Sequence, residues 1–406
     1  MEIMISHIQN TFNYGSAMMA INLIYYLNKK FNGDVNFYVD TRTKEDFENL
    51  IKSTSLDNIK VNKILPDRSK LIKTKKDVNL DINWIGAYCD GIINNYDCFM
   101  VLGGDDLSEY YSKEHVVYEL FKINRIANKI PVFLIGQTIG PFTEWRKEYA
   151  ADMLEPCHIF TRDNLTYDYL TRELGISNVI NSSDLAFLDL PNQNEYDIQT
   201  LLKKYNLNKD EYITLVPSGL VKCYTNNYNN YIDNWIGIIE YLINKKGFKV
   251  VLLPHVLRPE HSDDRVVIED IMRRIGSKYP KELIYIYDIL LPLGARLVLG
   301  NGLFSISGRM HGAVSTFQME KPSISLSYSV KYKGVIGGGL DCEDLIVEAS
   351  NDEKWVDGKV MTETISKIDY LINNYDDILL KIKDNLGKCK DEVIDMIDQI
   401  YKEIGE

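Results

Sequence analysis

An arginine and a histidine two residues apart, Arg309 and His311, are the side chains of this sequence best suited to chemistry. They lie in the segment SGRMHG at residues 307–312, directly after an apolar run at residues 303–306. A strand that turns into a helix at this point aims free backbone N–H groups at one place, which favours an anion. A guanidinium binds carboxylate or phosphate through parallel hydrogen bonds, and a nearby histidine can transfer a proton. The turn therefore predicts an active site that handles an anion.

Other cations and polar groups follow further predicted strands of the second half. Tyr328 and Lys331 come after the apolar run at residues 323–327, and Lys222 follows the run at residues 212–216. His255 stands in a Pro-His pair where another strand ends. A lone histidine is more often structural, but this position favours a role in binding or proton transfer.

The first half contains glycine-rich turns after its predicted strands. The segment GGDD at residues 103–106 lets a backbone approach a ligand closely, and places Asp105 as a base or a hydroxyl acceptor; a tight turn with capping aspartates is the alternative. The segment GQTIGPF follows at residues 136–142, where Gln137 offers a donor and an acceptor to a sugar or a carboxylate. The loop at residues 10–16, which includes Asn13, is either a plain turn or an anion site.

Alternating strand-length apolar runs and amphipathic helical segments position these turns. Strands that are apolar throughout predict parallel sheets covered by helices on both faces. The pattern breaks at the polar residues 191–210 and then restarts, and the chain after Leu345 is predicted to be helical to its end. We therefore expect two doubly wound α/β Rossmann-like domains, at residues 1–195 and 210–345, with an interdomain cleft and C-terminal helices (residues 346–406) packing across the domains. In such sheets chemistry occurs beyond the carboxyl ends of the strands.

Composition excludes some classes of function. The net charge of −12 and the pI near 5.1 argue against a nucleic-acid partner and against a general anionic-membrane surface. The six cysteines are scattered without a C-x-x-C pair, as is typical of reduced thiols in the cytoplasm. The sequence also lacks an N-terminal signal pattern, an apolar run of spanning length, a P-loop and a GxGxxG turn. The histidine spacing predicts no metal site.

At these turns the chain resembles the polysaccharide pyruvyl transferase family. The match includes Asn13-Tyr14-Gly15, GGD at residues 103–105, GQTIGPF, Pro254-His255, and RMHG at residues 309–312. It runs over about residues 10–340, and the GQTIGPF and RMH segments are its most specific parts. Family members tend to have an arginine where this chain has Lys222, and an aspartate where it has Ser16.

The resemblance implies a two-domain, glycosyltransferase-B-like fold and the transfer of the enolpyruvyl group of phosphoenolpyruvate onto a sugar, as a cyclic ketal. The sugar would belong to a cell-surface polysaccharide precursor. We predict no cofactor, with phosphoenolpyruvate as co-substrate. The expected site residues are, for catalysis, His311, His255 and Asp105; for phosphoenolpyruvate, Arg309, Lys222, Lys331 and Gly312; and for the acceptor, Asn13, Gly104, Asp106, Gln137, Thr138 and Tyr328.

Two other functions stay open from the sequence. A glycosyltransferase with a nucleotide-sugar donor would use Arg309 to hold a diphosphate, and a non-catalytic sugar-binding protein would keep only the fold. We expect a cytoplasmic enzyme, and a lipid-linked oligosaccharide acceptor would bring it transiently to the inner face of the membrane. The sequence does not determine the oligomeric state or the acceptor sugar.

Overall fold

The computed structural model of the protein describes residues 1–8, 10–64, 74–78, 85–110 and 112–405. The chain forms two compact units. The first contains residues 1–11, 19–185 and 390–406, and the second contains residues 12–18 and 186–389. Residues 12 and 13, the last two of the loop that follows the first strand, therefore belong to the second unit, as does the N-terminal end of the first helix.

The first unit is built on a parallel sheet with the strand order β3-β2-β1-β4-β5-β6-β7. Its central strands are buried along their whole length, as their uninterrupted apolar sequences require. The strands are β1 (Glu2–Ser6), β2 (Asn36–Val39), β3 (Ile59–Val61), β4 (Cys98–Leu102), β5 (Val132–Gln137), β6 (His158–Thr161) and β7 (Val179–Asn181).

Helices connect these strands, and their N-termini are commonly capped by a side chain, such as those of Thr43, Ser112 and Asp163. The helices are α1 (Tyr14–Lys30), α2 (Lys44–Thr54), α3 (Lys75–Val78), α4 (Gly86–Asn95), α5 (Lys113–Ala127), α6 (Trp145–Leu154) and α7 (Asn164–Asp168), which a π-helical turn extends over Tyr169–Glu173. The apolar sides of α4, α5 and α6 pack on the sheet and form a continuous core with it.

The second unit has a parallel sheet with the strand order β10-β9-β8-β11-β12-β13. The strands are β8 (Tyr212–Val216), β9 (Lys249–Leu252), β10 (Leu283–Tyr285), β11 (Phe304–Ser307), β12 (Ser323–Ser327) and β13 (Ile346–Glu348). The helices are α8 (Ile198–Lys204), α9 (Tyr228–Asn244), α10 (Asp264–Ile275), α11 (Pro292–Asn301), α12 (Met310–Gln318), α13 (Asp352–Val356), α14 (Lys359–Asn373) and α15 (Tyr375–Gly405), whose last part belongs to the first unit.

These two sheets confirm the predicted class of fold, and one detail of the prediction is wrong. The chain is not wholly helical after Leu345, because Ile346–Glu348 forms the edge strand β13 beside β12. This strand has three residues with only the middle one buried, so its sequence carries little periodic signal. In the described part of the chain, no helix has the length and apolar character needed to cross a membrane.

Because every pair of neighbouring strands is parallel, the carboxyl ends of each sheet's strands meet at one edge. The predicted turns lie at these edges. Arg309 follows β11, His255 follows β9 and Tyr328 follows β12, all in the second unit. Gly103 follows β4 and Thr138 follows β5 in the first unit.

Candidate active site

The turn between β11 and α12 holds Arg309 at the start of the helix. Arg309 is the residue before α12, and the Ser307 hydroxyl accepts a hydrogen bond from its N–H at 3.1 Å. Gly308 passes so close to the neighbouring loop that an added Cβ would lie 3.2 Å from the Cβ of Ser218. The glycine therefore allows this turn to pack against the loop after β8.

The guanidinium of Arg309 is held by a buried carboxylate that the sequence did not reveal. Its Nε and Nη2 donate to Oδ1 of Asp264 at 3.0 and 2.7 Å, and Nη2 also donates to the carbonyl of Ser262 at 2.5 Å. Asp264 is fully buried and Arg309 is 8% exposed. Burial alone would lower the pKa of Arg309, but the charge and the hydrogen bonds of Asp264 outweigh it and raise the pKa. Arg309 is therefore a permanent cation paired inside the protein.

Asp264 also fixes the loops that surround Arg309. Its two oxygens accept hydrogen bonds from the backbone N–H groups of Gly219 (2.7 Å), His255 (2.9 Å) and Val256 (2.8 Å). These residues belong to the loops after β8 and β9, so one carboxylate joins both loops to the β11–α12 turn. The carboxylate therefore organises the loops after β8, β9 and β11 around Arg309.

Two tyrosines attach the lysine-bearing loops to the same turn. The hydroxyls of Tyr224 and Tyr332 both donate to the carbonyl of Gly308, the residue before Arg309, the second at 2.9 Å. Lys222 is exposed and lies two residues before Tyr224, and Lys331 directly precedes Tyr332. Both predicted cations are therefore on loops anchored beside Arg309.

Tyr328 and Lys331 interact directly. The ammonium of Lys331 donates to the hydroxyl of Tyr328 at 2.8 Å and lies 4.7 Å from the centre of its ring. The ring of Tyr328 packs edge-on against Tyr224, with centroids 5.2 Å apart. The two loops that carry the predicted lysines thus share an aromatic contact.

The segment after β1 lies against both site histidines. The N–H of Tyr14 donates to the carbonyl of His255 at 3.1 Å, and Asn13 forms an antiparallel bridge with Val256. Gly15 lies against the ring of His311, so close that an added Cβ would be 2.7 Å from the Cβ of that histidine. The predicted residues Asn13, His255 and His311 are therefore brought together.

His255 is buried and neutral. Burial and the neighbouring charges of His311, Arg309 and Arg296 lower its pKa well below the usual value. Its ring packs edge-on against Tyr14 at 5.6 Å, and its Nε2 makes no hydrogen bond to the described residues. A neutral imidazole with an unused nitrogen can accept or donate a single proton at this edge.

The pKa of His255 predicts a pH dependence of stability. The unfolded histidine has a pKa of about 6.5, so below that pH the unfolded chain binds a proton that the folded protein excludes. This contribution is complete above that pH and declines by up to about 1.4 kcal/mol per pH unit below it. We expect the His255→Gln variant to lose less thermal stability between pH 7 and pH 5 than the wild type. Parallel melting-temperature profiles for the two proteins would contradict this.

Gly312 lies in the first turn of α12. Its N–H donates to the carbonyl of Arg309 at 2.9 Å, and an added Cβ would lie 2.5 Å from Oγ of Ser307. The glycine therefore permits the tight start of the helix. Its contact with phosphoenolpyruvate stays a prediction.

The glycine turns of the first unit are held by backbone contacts. An added Cβ on Gly103 would lie 2.7 Å from the carbonyl oxygen of Ile135, so the loops after β4 and β5 require a glycine there. The amide of Gln137 is fully buried and donates to the carbonyl of Leu102 at 2.8 Å, and the N–H of Thr138 donates to that of Gly104 at 2.9 Å. Gln137 and Thr138 join the ends of two strands, and their contact with an acceptor stays a prediction.

A buried hydrogen-bond network joins residues that follow β5, β6 and β7 at this edge of the sheet. Arg162 donates to Thr138 at 2.9 Å and to Asp184 at 3.0 Å, and Thr138 donates to Asp163 at 2.9 Å. Asp163 also caps α7. Asp105 and Asp106, in the loop after β4, are partly buried and exposed respectively. Within the described ranges, no three His, Cys, Asp or Glu side chains are grouped so that they can hold a metal ion.

Sequence reasoning missed Asp264, Tyr224 and Tyr332 as residues of this site. Asp264 opens a helix directly after the capping residue Asp263, which looks like ordinary helix-end chemistry. Its pairing with Arg309 spans 45 residues, and no local pattern announces such a contact. Tyr224 and Tyr332 are two of the 27 tyrosines of the chain, and nothing in the sequence distinguishes them from the others.

The fold is shared with two solved proteins, a UDP-GlcNAc 2-epimerase and a glycosyltransferase. The UDP-GlcNAc 2-epimerase of Neisseria meningitidis bound to UDP-GlcNAc has a TM-score of 0.63 and 13% sequence identity, covering 99% of this chain and 100% of that one. A glycosyltransferase of Rickettsia africae ESF-5 has a TM-score of 0.58 and 12% identity, covering 100% and 98%. These likenesses define the class of the protein as a pair of Rossmann-like domains of the glycosyltransferase-B type.

Sequence comparison defines the family within this class. The family model of polysaccharide pyruvyl transferase matches residues 13–330. The amylovoran biosynthesis protein AmsJ of Erwinia amylovora is 23% identical over 297 residues, which are 70% of this chain and 68% of that protein. The chain belongs to the polysaccharide pyruvyl transferase family and is a transferase, and this membership supports a pyruvyl transferase role in polysaccharide synthesis.

Proposed function

We propose that this protein transfers the enolpyruvyl group of phosphoenolpyruvate onto a sugar of a cell-surface polysaccharide or its precursor, forming a pyruvate ketal. The observation that carries the proposal is the grouping of Arg309, His255 and His311 at the carboxyl edge of one sheet. That grouping occurs in a chain whose family transfers pyruvyl groups. No cofactor is needed for this reaction.

The donor has a carboxylate and a phosphate, so it needs more than one cation. Asp264 and Ser262 already use Nε and Nη2 of Arg309, which leaves Nη1 as the nitrogen that meets an anion. The expected two-nitrogen clasp by Arg309 alone is therefore replaced by a contact through one nitrogen. Lys222 and Lys331, on the loops anchored to Gly308, supply the remaining positive charge. Lysine matches this role because it binds phosphate as a point charge.

The chemical steps require one acid and one base. The acid gives a proton to the methylene carbon of the enol while a sugar hydroxyl attacks the adjacent carbon and loses its proton to the base. The bond from that carbon to the phosphate oxygen then breaks, and inorganic phosphate leaves with the electron pair. The second hydroxyl attacks the same carbon and releases its proton to the phosphate. The products are one cyclic ketal and one inorganic phosphate.

His311 is the proposed acid or phosphate partner, and His255 is the proposed base. His255 is a candidate for that role because its Nε2 is unused and can accept the proton of the attacking hydroxyl. Asp105 is a second candidate for the base and belongs to the first unit. The acceptor contacts assigned to Asn13, Gly104, Asp106, Gln137, Thr138 and Tyr328 belong to this proposal, as does a cytoplasmic location with transient approach to a membrane-borne acceptor.

The test is a comparison of donors. Purified protein is incubated with phosphoenolpyruvate and a panel of sugars, and inorganic phosphate and the mass gain of the sugar are measured. We expect phosphate release that depends on the sugar, and a gain of one pyruvate less one water. Thermal stabilisation by phosphoenolpyruvate should be reduced in the Arg309→Lys variant. Stabilisation by a nucleotide sugar, with none by phosphoenolpyruvate, would replace the proposal with glycosyl transfer.

A further inference from the structure

A line of alternating charges runs through the first unit from its core to its surface. The ammonium of Lys122 contacts the carboxylate of Glu119, whose Oε2 lies 3.5 Å from Nε2 of His7. The other ring nitrogen of His7, Nδ1, lies 3.4 Å from Oδ2 of Asp106. We call these residues (Lys122, Glu119, His7 and Asp106) the charge chain. The first three side chains are 2%, 0% and 8% exposed, whereas that of Asp106 is 53% exposed.

Local structure fixes His7 in this line. It follows β1 and has a positive φ of 72°, a backbone conformation that is energetically unfavourable for a residue other than glycine. The carboxylate of Asp40, after β2, accepts the N–H groups of His7 at 3.0 Å and of Ile8 at 2.8 Å. Glu119 and Lys122 are three residues apart on α5 and therefore lie on one face of that helix. The surrounding elements thus hold the ring between two carboxylates.

The surroundings keep His7 charged at neutral pH. Burial alone would lower its pKa, but the adjacent carboxylates of Asp106 and Glu119 outweigh burial and raise the pKa to about 9. Burial would raise the pKa of Glu119, but Lys122 and His7 hold it well below its usual range. Among the described residues, the titratable groups around the ring, over all the elements that pack there, are Asp40, Tyr88, Asp106, His115, Glu119 and Lys122.

The pairing leaves Asp106 as the exposed end of the chain. Inside the unit, the charges of Lys122 and Glu119 offset each other. Asp106 therefore supplies the second negative charge beside the imidazolium of His7. Buried charges are costly, and a protein gains little stability from keeping them. Nδ1 of His7, although buried, makes no hydrogen bond to the described residues. The imidazolium therefore attracts the carboxylate of Asp106 through its charge and does not occupy the lone pairs of the carboxylate oxygens. The oxygens of Asp106 therefore stay available to donors from outside.

We propose that His7 is a positioning residue of a sugar site, where its imidazolium fixes the exposed carboxylate of Asp106 to accept hydrogen bonds from two hydroxyls of one sugar. Gly104 lies beside that carboxylate, since an added Cβ there would be 3.2 Å from Oδ2 of Asp106, and it leaves room for a ligand. A carboxylate accepts two hydroxyls in a fixed geometry, which suits a diol. This inference rests on the proposed function, in which the acceptor is a sugar.

The experiment measures binding of three probes, methyl β-D-galactopyranoside, methyl β-D-glucopyranoside and methyl α-D-mannopyranoside, by saturation-transfer NMR without donor. We expect the full-length wild type to bind at least one of them. Asp106→Asn and His7→Asn should weaken that binding by about 10-fold or more, the scale of a lost hydrogen bond to a charged group. Asparagine tolerates the positive φ at position 7, so the backbone is retained. His261→Asn, at an exposed position in the second unit, is the matched control and should bind as the wild type does.

The pH profile separates positioning from a merely structural role. Binding by the wild type should persist to about pH 8 and weaken as the pH rises through about 9, where His7 loses its proton. The His7→Asn protein should show no such alkaline loss. Absence of binding to all three glycosides, or wild-type affinity and pH dependence in His7→Asn, would overturn the inference. A protein that binds a glycoside in this way but does not consume phosphoenolpyruvate would retain the sugar site and lose only the proposed function.

Discussion

Replacing Arg309 by methionine should destabilise the second unit by about 3 kcal/mol and reduce turnover at least 1,000-fold, a loss of roughly 4 kcal/mol in transition-state binding. The substitution leaves the fully buried carboxylate of Asp264 without its cation. Removing one partner of a buried pair costs about 3–5 kcal/mol, and the three backbone N–H groups that Asp264 retains place this case at the low end. Urea unfolding and phosphate release from phosphoenolpyruvate are the measurements.

The Arg309→Lys variant separates stability from binding. A lysine keeps the positive charge beside Asp264 but cannot reproduce the planar fork that reaches Asp264 and Ser262 together and still leaves Nη1 for a ligand. We expect it to unfold at nearly the wild-type urea concentration while its KM for phosphoenolpyruvate rises at least 10-fold. Equal loss of stability in both variants would mean that packing, rather than charge, holds the turn.

The central strands could be predicted because burial on both faces requires an uninterrupted apolar sequence. The predicted bounds at Tyr212–Val216 and Ser323–Ser327 agree with the structure to the residue. Three strands were missed because each has only three residues, lies at a sheet edge and has one buried residue. They are Ile59–Val61, Val179–Asn181 and Ile346–Glu348. A short, half-exposed strand is stabilised by its neighbour, and no pattern within the strand itself reveals that neighbour.

The candidate site was predictable to the extent that topology brings strand ends together. Arg309, His311 and His255 were chosen because they follow strands, and parallel pairing places them at one edge. The hydrogen-bond partners of each side chain in the folded protein could not be predicted. Arg309 looked free to bind an anion with two nitrogens, whereas Asp264 takes two of its three nitrogens, a contact that depends on folding.

His7 illustrates the same limit in the first unit. In sequence it is one of six histidines with no partner at a metal-ligand spacing. Its importance depends on Asp106 and Glu119, which are separated from it by about a hundred residues and which the sheet brings to either side of its ring. Charge patterns along the chain describe neighbours on a helix, but not a line of charges across several elements.

Gly15→Ala should lower kcat at least 100-fold while the protein stays folded. An added Cβ at this position would lie 2.7 Å from the Cβ and 2.5 Å from the Cγ of His311. Rotation of the histidine side chain cannot relieve a contact with its own Cβ, so the start of α12 or of α1 must shift. The start of α1 is held by the bond from Tyr14 to the carbonyl of His255, and the start of α12 by the bonds around Ser307. A displacement of about 1 Å at a reacting group costs on the order of 100-fold in rate.

Gly387→Ala is the control for the general effect of adding a methyl group. Gly387 lies inside α15 with open space around it, so alanine there should leave kcat unchanged and stabilise the helix by up to about 1 kcal/mol. Steady-state kinetics and melting temperatures of both variants are the measurements. We expect Gly15→Ala to lose about 1–3 kcal/mol through overpacking, with its KM for phosphoenolpyruvate changed less than its kcat. If Gly15→Ala retains kcat within two-fold of the wild type, His311 does not act on the reacting atoms, and proton transfer falls to His255 or Asp105.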